Sequence, residues 1–93
     1  MGISESDIKS QVRDFLAIKH IFNFPLVQGI ASYRGSPDRI MHYKGQVHYL
    51  ELKTAKGKLS EHQRNFQEQC EYDGISYKVI RCLEDIMELI DEG

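Results

Sequence analysis

Seven consecutive residues near the middle of the chain alternate in the manner of a β-strand: Val47-His48-Tyr49-Leu50-Glu51-Leu52-Lys53. Glu51 and Lys53 share one face of this strand with Val47 and Tyr49, and the other face carries His48, Leu50 and Leu52. The apolar neighbours predict a central, well-buried strand. Two charges in such a place cost free energy unless they pair or hold a ligand. Glu51 and Lys53 are therefore either a structural ion pair or part of a functional site.

The residues before this strand predict a β-hairpin that brings another acid to Glu51. Asp38 follows Pro37 directly and opens a predicted strand over 38–43, and Lys44-Gly45 has the composition of a tight turn. The antiparallel hairpin places the Asp38 end of one strand beside the Lys53 end of its partner. Asp38 and Glu51 would then converge at one edge of the sheet.

The remaining segments predict three helices and two further strands. They are a helix from Ser4 to about His20, a short strand over 26–32 interrupted by Gly29, a helix from the cap Ser60 to Asp73-Gly74, a strand over 76–81, and a helix over 83–90 with Leu83, Ile86, Met87 and Ile90 inward. A strand–helix–strand crossover implies parallel pairing. The predicted fold is α/β, an α-β-β-β-α-β-α order with a four-stranded mixed sheet flanked by helices.

Two polar residues lie on the apolar stripes of the predicted helices. Glu5 lies below Ile8 on the first helix, and Gln63 lies at the start of the second. Each has an ordinary explanation, because a first-turn acid complements the helix dipole and a glutamine three residues after Ser60 completes a capping box. The alternative is that both side chains point into one site.

Composition predicts a single soluble domain over residues 1–93, with 41% hydrophobic and 28% charged residues. No run of about 18 apolar residues occurs, so we expect no membrane span. The acidic N-terminus predicts no signal peptide and a cytoplasmic location, which is the bacterial host's cytoplasm if a phage encodes the chain. Cys70 and Cys82 lack metal-ligand spacing, which favours reduced thiols.

The net charge of −2 is unevenly distributed. Residues 33–58 hold six bases and two acids, giving +4, whereas the last ten residues hold five acids and no base. A solvated basic loop would explain the count alone. If Asp38 and Glu51 hold metal, however, the window becomes an attractive surface for a phosphate backbone. From this window we expect DNA contacts by Arg34, Ser36, Arg39, Lys56 and Lys58.

These residues suit metal-dependent phosphodiester hydrolysis. Asp38 and Glu51 offer the hard oxygen ligands that Mg²⁺ or Mn²⁺ prefers, the Leu52 carbonyl is a possible third ligand, and Glu5 could join directly or through water. Lys53 could contact the phosphate and the attacking water, and Gln63 could orient either. We expect no organic cofactor. His48 faces away from Glu51 and is expected to be packed or on the surface, and His62, next to Gln63, is a further candidate for contact with DNA. The tyrosines (33, 43, 49 and 72) are expected in the core or an interface.

Three segments carry a resemblance to the VRR-NUC domain, the virus-type replication-repair nuclease branch of the PD-(D/E)XK superfamily. They are Gly35-Ser36-Pro37-Asp38-Arg39-Ile40, Leu50-Glu51-Leu52-Lys53-Thr54 and Gly57-Lys58-Leu59-Ser60-Glu61-His62-Gln63. The resemblance runs from Glu5-Ser6 to Val79-Ile80-Arg81, and the 24–29 segment is similar to small stand-alone phage members. It covers nearly the whole chain.

The resemblance implies a restriction-endonuclease-like fold and a divalent-metal-dependent endonuclease with catalytic residues Glu5, Asp38, Glu51, Lys53 and Gln63. Stand-alone members resemble homodimeric Holliday-junction resolvases, whereas the domain fused into a Fanconi-anaemia-associated nuclease acts on flaps as a monomer. The implied partners are branched DNA and a second copy of the chain. Two alternatives stay open: a less selective nicking or flap nuclease, and an inactive DNA-binding module.

Overall fold

The computed structural model describes residues 2–27 and 33–90. Within these residues the elements follow the expected order: α1 (Glu5–Ile18), β1 (Asn23–Pro25), β2 (Arg39–Tyr43), β3 (Gln46–Leu52), α2 (Glu61–Asp73), β4 (Ser76–Ile80) and α3 (Leu83–Ile90). Ser4 caps α1, Ser60 caps α2, and Gly74 ends α2 in the left-handed conformation, as the sequence predicts. None of the described helices is long and apolar enough to cross a membrane.

The four strands form one mixed sheet in the order β1-β2-β3-β4. Strands β1, β2 and β3 pair antiparallel, and β3 pairs parallel with β4 across the α2 crossover. The β2–β3 hairpin turns at Lys44-Gly45, where both residues have positive φ, as two-residue hairpin turns require. The predicted mixed sheet and its central strand β3 are confirmed.

The apolar core lies between one face of the sheet and the helices α1 and α3. It contains the sheet residues Met41, Leu50, Leu52 and Ile80 and the helix residues Ile8, Val12, Leu16, Ile86 and Ile90. His48 is buried at the edge of this face and its Nδ1 lies 2.7 Å from the Ser76 hydroxyl, which confirms a packed histidine. The inward placement of Met87 is wrong: its side chain is 41% exposed, because it lies about 100° around the helix from Ile86.

The opposite face of the sheet is covered by α2 through the ring of Phe66. Phe66 packs edge-on against Tyr49 at 5.3 Å between ring centroids, and against Tyr77 and Tyr33 at 6.0 Å each. Tyr33 is nevertheless 74% exposed and Tyr72 is 87% exposed. These two tyrosines are therefore not core residues, and their place in an interface stays a prediction.

The first strand lies earlier in the chain than predicted. It spans Asn23–Pro25, whereas the prediction placed a strand over 26–32. Of that range the structure describes Leu26 and Val27, which are outside any strand, and Gly29 lies outside the described residues. Pro25 is tolerated because β1 is an edge strand, where a missing N–H leaves no ladder bond unmade.

Candidate active site

Four element ends meet at one end of the sheet and enclose an open cleft of about 500 Å³. They are the first turn of α1, the start of β2, the end of β3 and the first turn of α2. All five residues predicted to carry catalysis line this cleft: Glu5, Asp38, Glu51, Lys53 and Gln63. The hairpin brings Asp38 to Glu51, and the crossover brings Gln63.

Asp38 is fixed by three backbone features immediately before β2. Pro37 is fully buried and restricts the chain ahead of it. The Asp38 N–H donates to the Leu50 carbonyl at 3.0 Å, and its Oδ2 accepts from the Leu52 N–H at 2.8 Å. Because Oδ2 is occupied, Oδ1 is the oxygen left for a ligand in the cleft.

Glu51 is a buried carboxyl with only 2% of its surface exposed. Its Oε2 accepts from Gln63 Nε2 at 2.9 Å and lies 4.0 Å from Lys53 Nζ, whereas Oε1 is buried without a hydrogen-bond partner. The pKa of Glu51 is raised to about 8, chiefly by burial and next by the neighbouring Asp38, while Lys53 opposes the rise. The protein alone therefore supplies too little positive charge to keep this carboxyl ionised.

Gln63 has both of the roles that the sequence left as alternatives. Its N–H donates to Ser60 Oγ and its Oε1 accepts from the Ser60 N–H, completing the capping box of α2. Its Nε2 remains free to reach Glu51. The side chain thus starts the helix and fixes the carboxyl through different atoms.

Glu5 enters the cleft from α1, where its Oε2 lies 3.4 Å from Lys9 Nζ. The capping box of α1 uses Ser4 and Asp7, so Glu5 is not needed to start the helix. In residues 2–27 and 33–90, however, no three His, Cys, Asp or Glu side chains are gathered as a ready-made metal cluster. Asp38 and Glu51 are the close pair, and Glu5 stands beside them.

The residues predicted to contact DNA fall into three places. Arg34 and Ser36 line the cleft itself. Lys56 and Lys58 are exposed on the loop between β3 and α2. Arg39 lies elsewhere: its Nε donates to Asn23 Oδ1 at 2.6 Å, and its side chain borders a separate hollow beside α1.

Comparison with known proteins finds a likeness in structure alone. No protein-family model and no curated protein matches the chain. A solved structure described as a "VRR_NUC domain" matches 97% of this chain and 98% of its own, with a TM-score of 0.79 at 16% identity. The chain has the VRR-NUC fold. This confirms the architecture that the three sequence segments predicted.

Lys9 and His62 line the cleft, and the sequence did not predict either as a catalytic or metal-binding residue. Lys9 reaches both Glu5 and Asp38, and its spacing of four residues from Glu5 on α1 was the available signal. His62 lies 3.3 Å from Arg34 through its Nε2. The hydroxyl of Tyr77 is buried without a hydrogen-bond partner, and burial, followed by the charge of Glu51, raises the pKa of this phenol. No sequence pattern indicates the contact between His62 and Arg34 or the burial of the Tyr77 hydroxyl.

Arg81, which follows β4, contacts the loop between β3 and α2. Its guanidinium donates to the carbonyls of Thr54 at 2.7 Å and Gly57 at 2.6 Å. These bonds fix the loop after Lys53 and hold the start of the segment that carries Lys56 and Lys58. Arg81 is a supporting residue for the cleft.

The cleft residues fit a divalent cation of the hard class. Glu51 Oε1 is a buried carboxyl oxygen without a hydrogen-bond partner, and Asp38 Oδ1 is the oxygen of that carboxylate to which the Leu52 N–H does not donate. The raised pKa of Glu51 returns towards its ordinary value when positive charge is added beside it. Oxygen ligands of this kind select Mg²⁺ or Mn²⁺ over structural Zn²⁺.

Proposed function

We propose that this protein is a divalent-metal-dependent endonuclease that hydrolyses phosphodiester bonds in branched DNA and works as a homodimeric Holliday-junction resolvase. The observation that carries the proposal is the pair of Asp38 and Glu51 beside Lys53 in an open cleft, with one Glu51 oxygen buried and unpartnered. If Glu51 served only a structural ion pair, its buried Oε1 would be expected to have a hydrogen-bond partner as well, because an unpaired buried oxygen costs free energy. The likeness to a VRR_NUC domain supports the nuclease class.

Asp38 and Glu51 would hold Mg²⁺ or Mn²⁺, with the Leu52 carbonyl and Glu5 as further ligands, the latter directly or through water. The bound ion would supply Lewis acidity and neutralise charge on the phosphate. Lys53 contacts the scissile phosphate and the attacking water, and stabilises the negative charge that develops in the transition state. Gln63 holds Oε2 of Glu51, so that Oε1 stays turned away from the helix.

The substrate side of the proposal rests on the positive charges around the cleft. Arg34 contacts the phosphate backbone within it, and Lys56 and Lys58 extend the contact along the neighbouring loop, whereas Ser36 lines the cleft with its hydroxyl buried. Arg39 has a smaller part, because Asn23 already accepts its Nε–H and its side chain borders another hollow. A duplex arm leaving the cleft would pass the loop that Arg81 holds.

Resolution of a four-way junction requires two cuts related by a two-fold axis. One copy of the chain presents one such cleft, so two copies in a symmetric dimer are the simplest arrangement that supplies both cuts. The homodimer is thus part of the same proposal.

The test incubates the purified protein with a four-way junction, a flap and a linear duplex, each with Mg²⁺, Mn²⁺ or EDTA, with the Glu51→Gln variant as the control. Paired symmetric nicks on the junction alone, absent in EDTA and in the variant, are the expected result. Cleavage of flaps or duplex at the same rate would indicate the less selective nuclease. Binding of branched DNA without any cleavage in either metal would indicate an inactive module.

A further inference from the structure

A second lysine enters the cleft from α1, outside the motifs of the predicted active site. Lys9 Nζ lies 3.4 Å from Glu5 Oε2 and 3.8 Å from Asp38 Oδ1. The other oxygen of Asp38 already accepts from the Leu52 N–H. Lys9 therefore faces the one oxygen of Asp38 that a metal ion would need.

The charged side chains of the cleft form two groups, each with one lysine at its centre. Lys53 lies nearest to Glu51, and Lys9 lies between Glu5 and Asp38. The ammonium groups of Lys9 and Lys53 already lie within 4.0 Å of cleft carboxyl oxygens, so a divalent ion beside Asp38 would add positive charge next to Lys9. A cation beside Asp38 therefore repels Lys9 at short range.

The two lysines differ in their freedom to move. The Lys53 side chain is 16% exposed and follows the buried end of β3, whereas the Lys9 side chain is 48% exposed on the outer part of a helix turn. A lysine on a flexible four-carbon stem can swing towards solvent or towards a phosphate. Lys9 is thus the lysine that can leave its carboxylates.

We propose that Lys9 is an internal counter-ion, which occupies the position of the cation beside Asp38 in the metal-free protein and competes with the divalent ion for it. This inference rests on the proposed function, since it assigns a residue to the same metal site. Lys9 pairs with Glu5 and Asp38 before metal arrives and lowers the affinity of the site for metal. Once displaced, its ammonium group is available to the DNA backbone.

The test measures Mn²⁺ binding without DNA, by electron paramagnetic resonance of free Mn²⁺ and by calorimetry. Lys9→Met removes the charge and keeps the stem, and it should lower the Kd for Mn²⁺ by about three- to tenfold. Lys9→Arg keeps a cation and should bind like the natural protein. Lys19→Met is the matched control, an exposed lysine at the far end of α1 whose ammonium lies over Phe15.

Unchanged or weaker Mn²⁺ binding by Lys9→Met would overturn the role of Lys9, because a residue that only holds the carboxylates in place would weaken the site when removed. If the natural protein binds Mn²⁺ and cleaves DNA in that case, the proposed function stands without this inference. If neither the natural protein nor Lys9→Met binds Mn²⁺, both proposals fall. Thermal unfolding with and without Ca²⁺ gives a second measure of the same affinity.

Discussion

The carboxyl of Glu51 has one oxygen bound to Gln63 and the other buried without a partner. Such a group destabilises a folded chain, and an apolar side chain of similar volume would cost less. Its place on the central strand is therefore explained better by binding than by folding. The consequence can be measured in the metal-free protein.

In EDTA we expect the free energy of unfolding to fall as the pH rises from about 4.5 to about 8. The pKa of Glu51 is raised in the folded protein from 4.5 to about 8, so the folded state keeps a proton that the unfolded state releases. This stabilising proton is fully present below pH 4.5 and lost above the folded pKa.

Glu51→Gln carries no proton to lose, and its fall in stability between pH 5 and pH 8 should be smaller by about 1–3 kcal/mol. Urea unfolding of both proteins at the two pH values measures the difference. An equal pH dependence in the two proteins would show that Glu51 is not the group responsible.

Lys53→Ala should lower the single-turnover cleavage rate by about 100- to 1,000-fold, because the ammonium acts on charge that develops in the transition state. Binding of a four-way junction in Ca²⁺, followed by fluorescence anisotropy, should survive. Lys78→Ala, an exposed lysine of β4 away from the cleft, is the matched control and should cleave normally. Full activity of Lys53→Ala would overturn the mechanism.

At the scale of residues, the sequence predicted those positions that follow from strand alternation and helix capping. Asp38, Glu51 and Lys53 are placed by the hairpin register, and Gln63 by its distance from Ser60. Lys9 was missed because its contact with Asp38 crosses from helix to sheet, and no periodicity within one element records such a contact. The same reason applies to the contact between His62 and Arg34.

At the scale of elements, the loop before Asp38 crosses the start of α2 at very close range. Gly35 has a φ of +81°, and a Cβ at this position would collide with the backbone carbonyl of His62. The contact brings Arg34 next to His62 and sets the width of the cleft. A side chain larger than hydrogen must push the loop and the helix apart.

Gly35→Ala should lower the free energy of unfolding by about 2–4 kcal/mol, from left-handed strain together with the collision. Gly45→Ala is a matched control, because Gly45 has a φ of +78° and open space where its Cβ would lie. That variant should lose only about 1 kcal/mol, from strain alone. Thermal and urea unfolding of the pair gives the comparison, and equal losses would exclude the collision.

The prediction of elements succeeded where periodic patterns are long and failed where they are short. Helices α1, α2 and α3 and the β2–β3 hairpin carry caps, turns and alternating residues. The three-residue edge strand β1 has no such pattern, and it is defined by its pairing with β2 instead. Asn23 contributes by accepting from Arg39 on the neighbouring strand.

At the scale of the whole molecule, the homodimer can be tested with mixed subunits. A dimer of one natural subunit and one Lys53→Ala subunit, isolated with two different tags, should nick one strand of a four-way junction and leave it unresolved. Each cleft cuts its own strand, so a dimer with one inactive cleft makes one cut. Analytical ultracentrifugation verifies the composition, and resolution of the junction by the mixed dimer would contradict the arrangement.

The antiparallel hairpin and the parallel crossover of the mixed sheet were predicted, because connection rules leave few arrangements for this succession of elements, but the packing of α1 and α3 against one face was not predicted. The sequence did not predict which DNA structure, a junction, a flap or a linear duplex, the protein prefers. The preferred DNA structure depends on how two copies are oriented and on the shapes of their loops. Sequence periodicity reflects only the core of one chain, so it carries no information about either.

Gln63 caps the start of α2 and also donates to Glu51 in the cleft, and these two roles restrict which residues can replace it. Glutamate would close the capping box equally well, but it would set a second acid against Glu51. Alanine would spare Glu51 that repulsion and weaken the helix instead. Residue 63 must therefore satisfy two constraints, the capping of α2 and the hydrogen bond to Glu51. A stabilised version of the protein should be sought by changing the outer face of α2 and leaving its first turn intact.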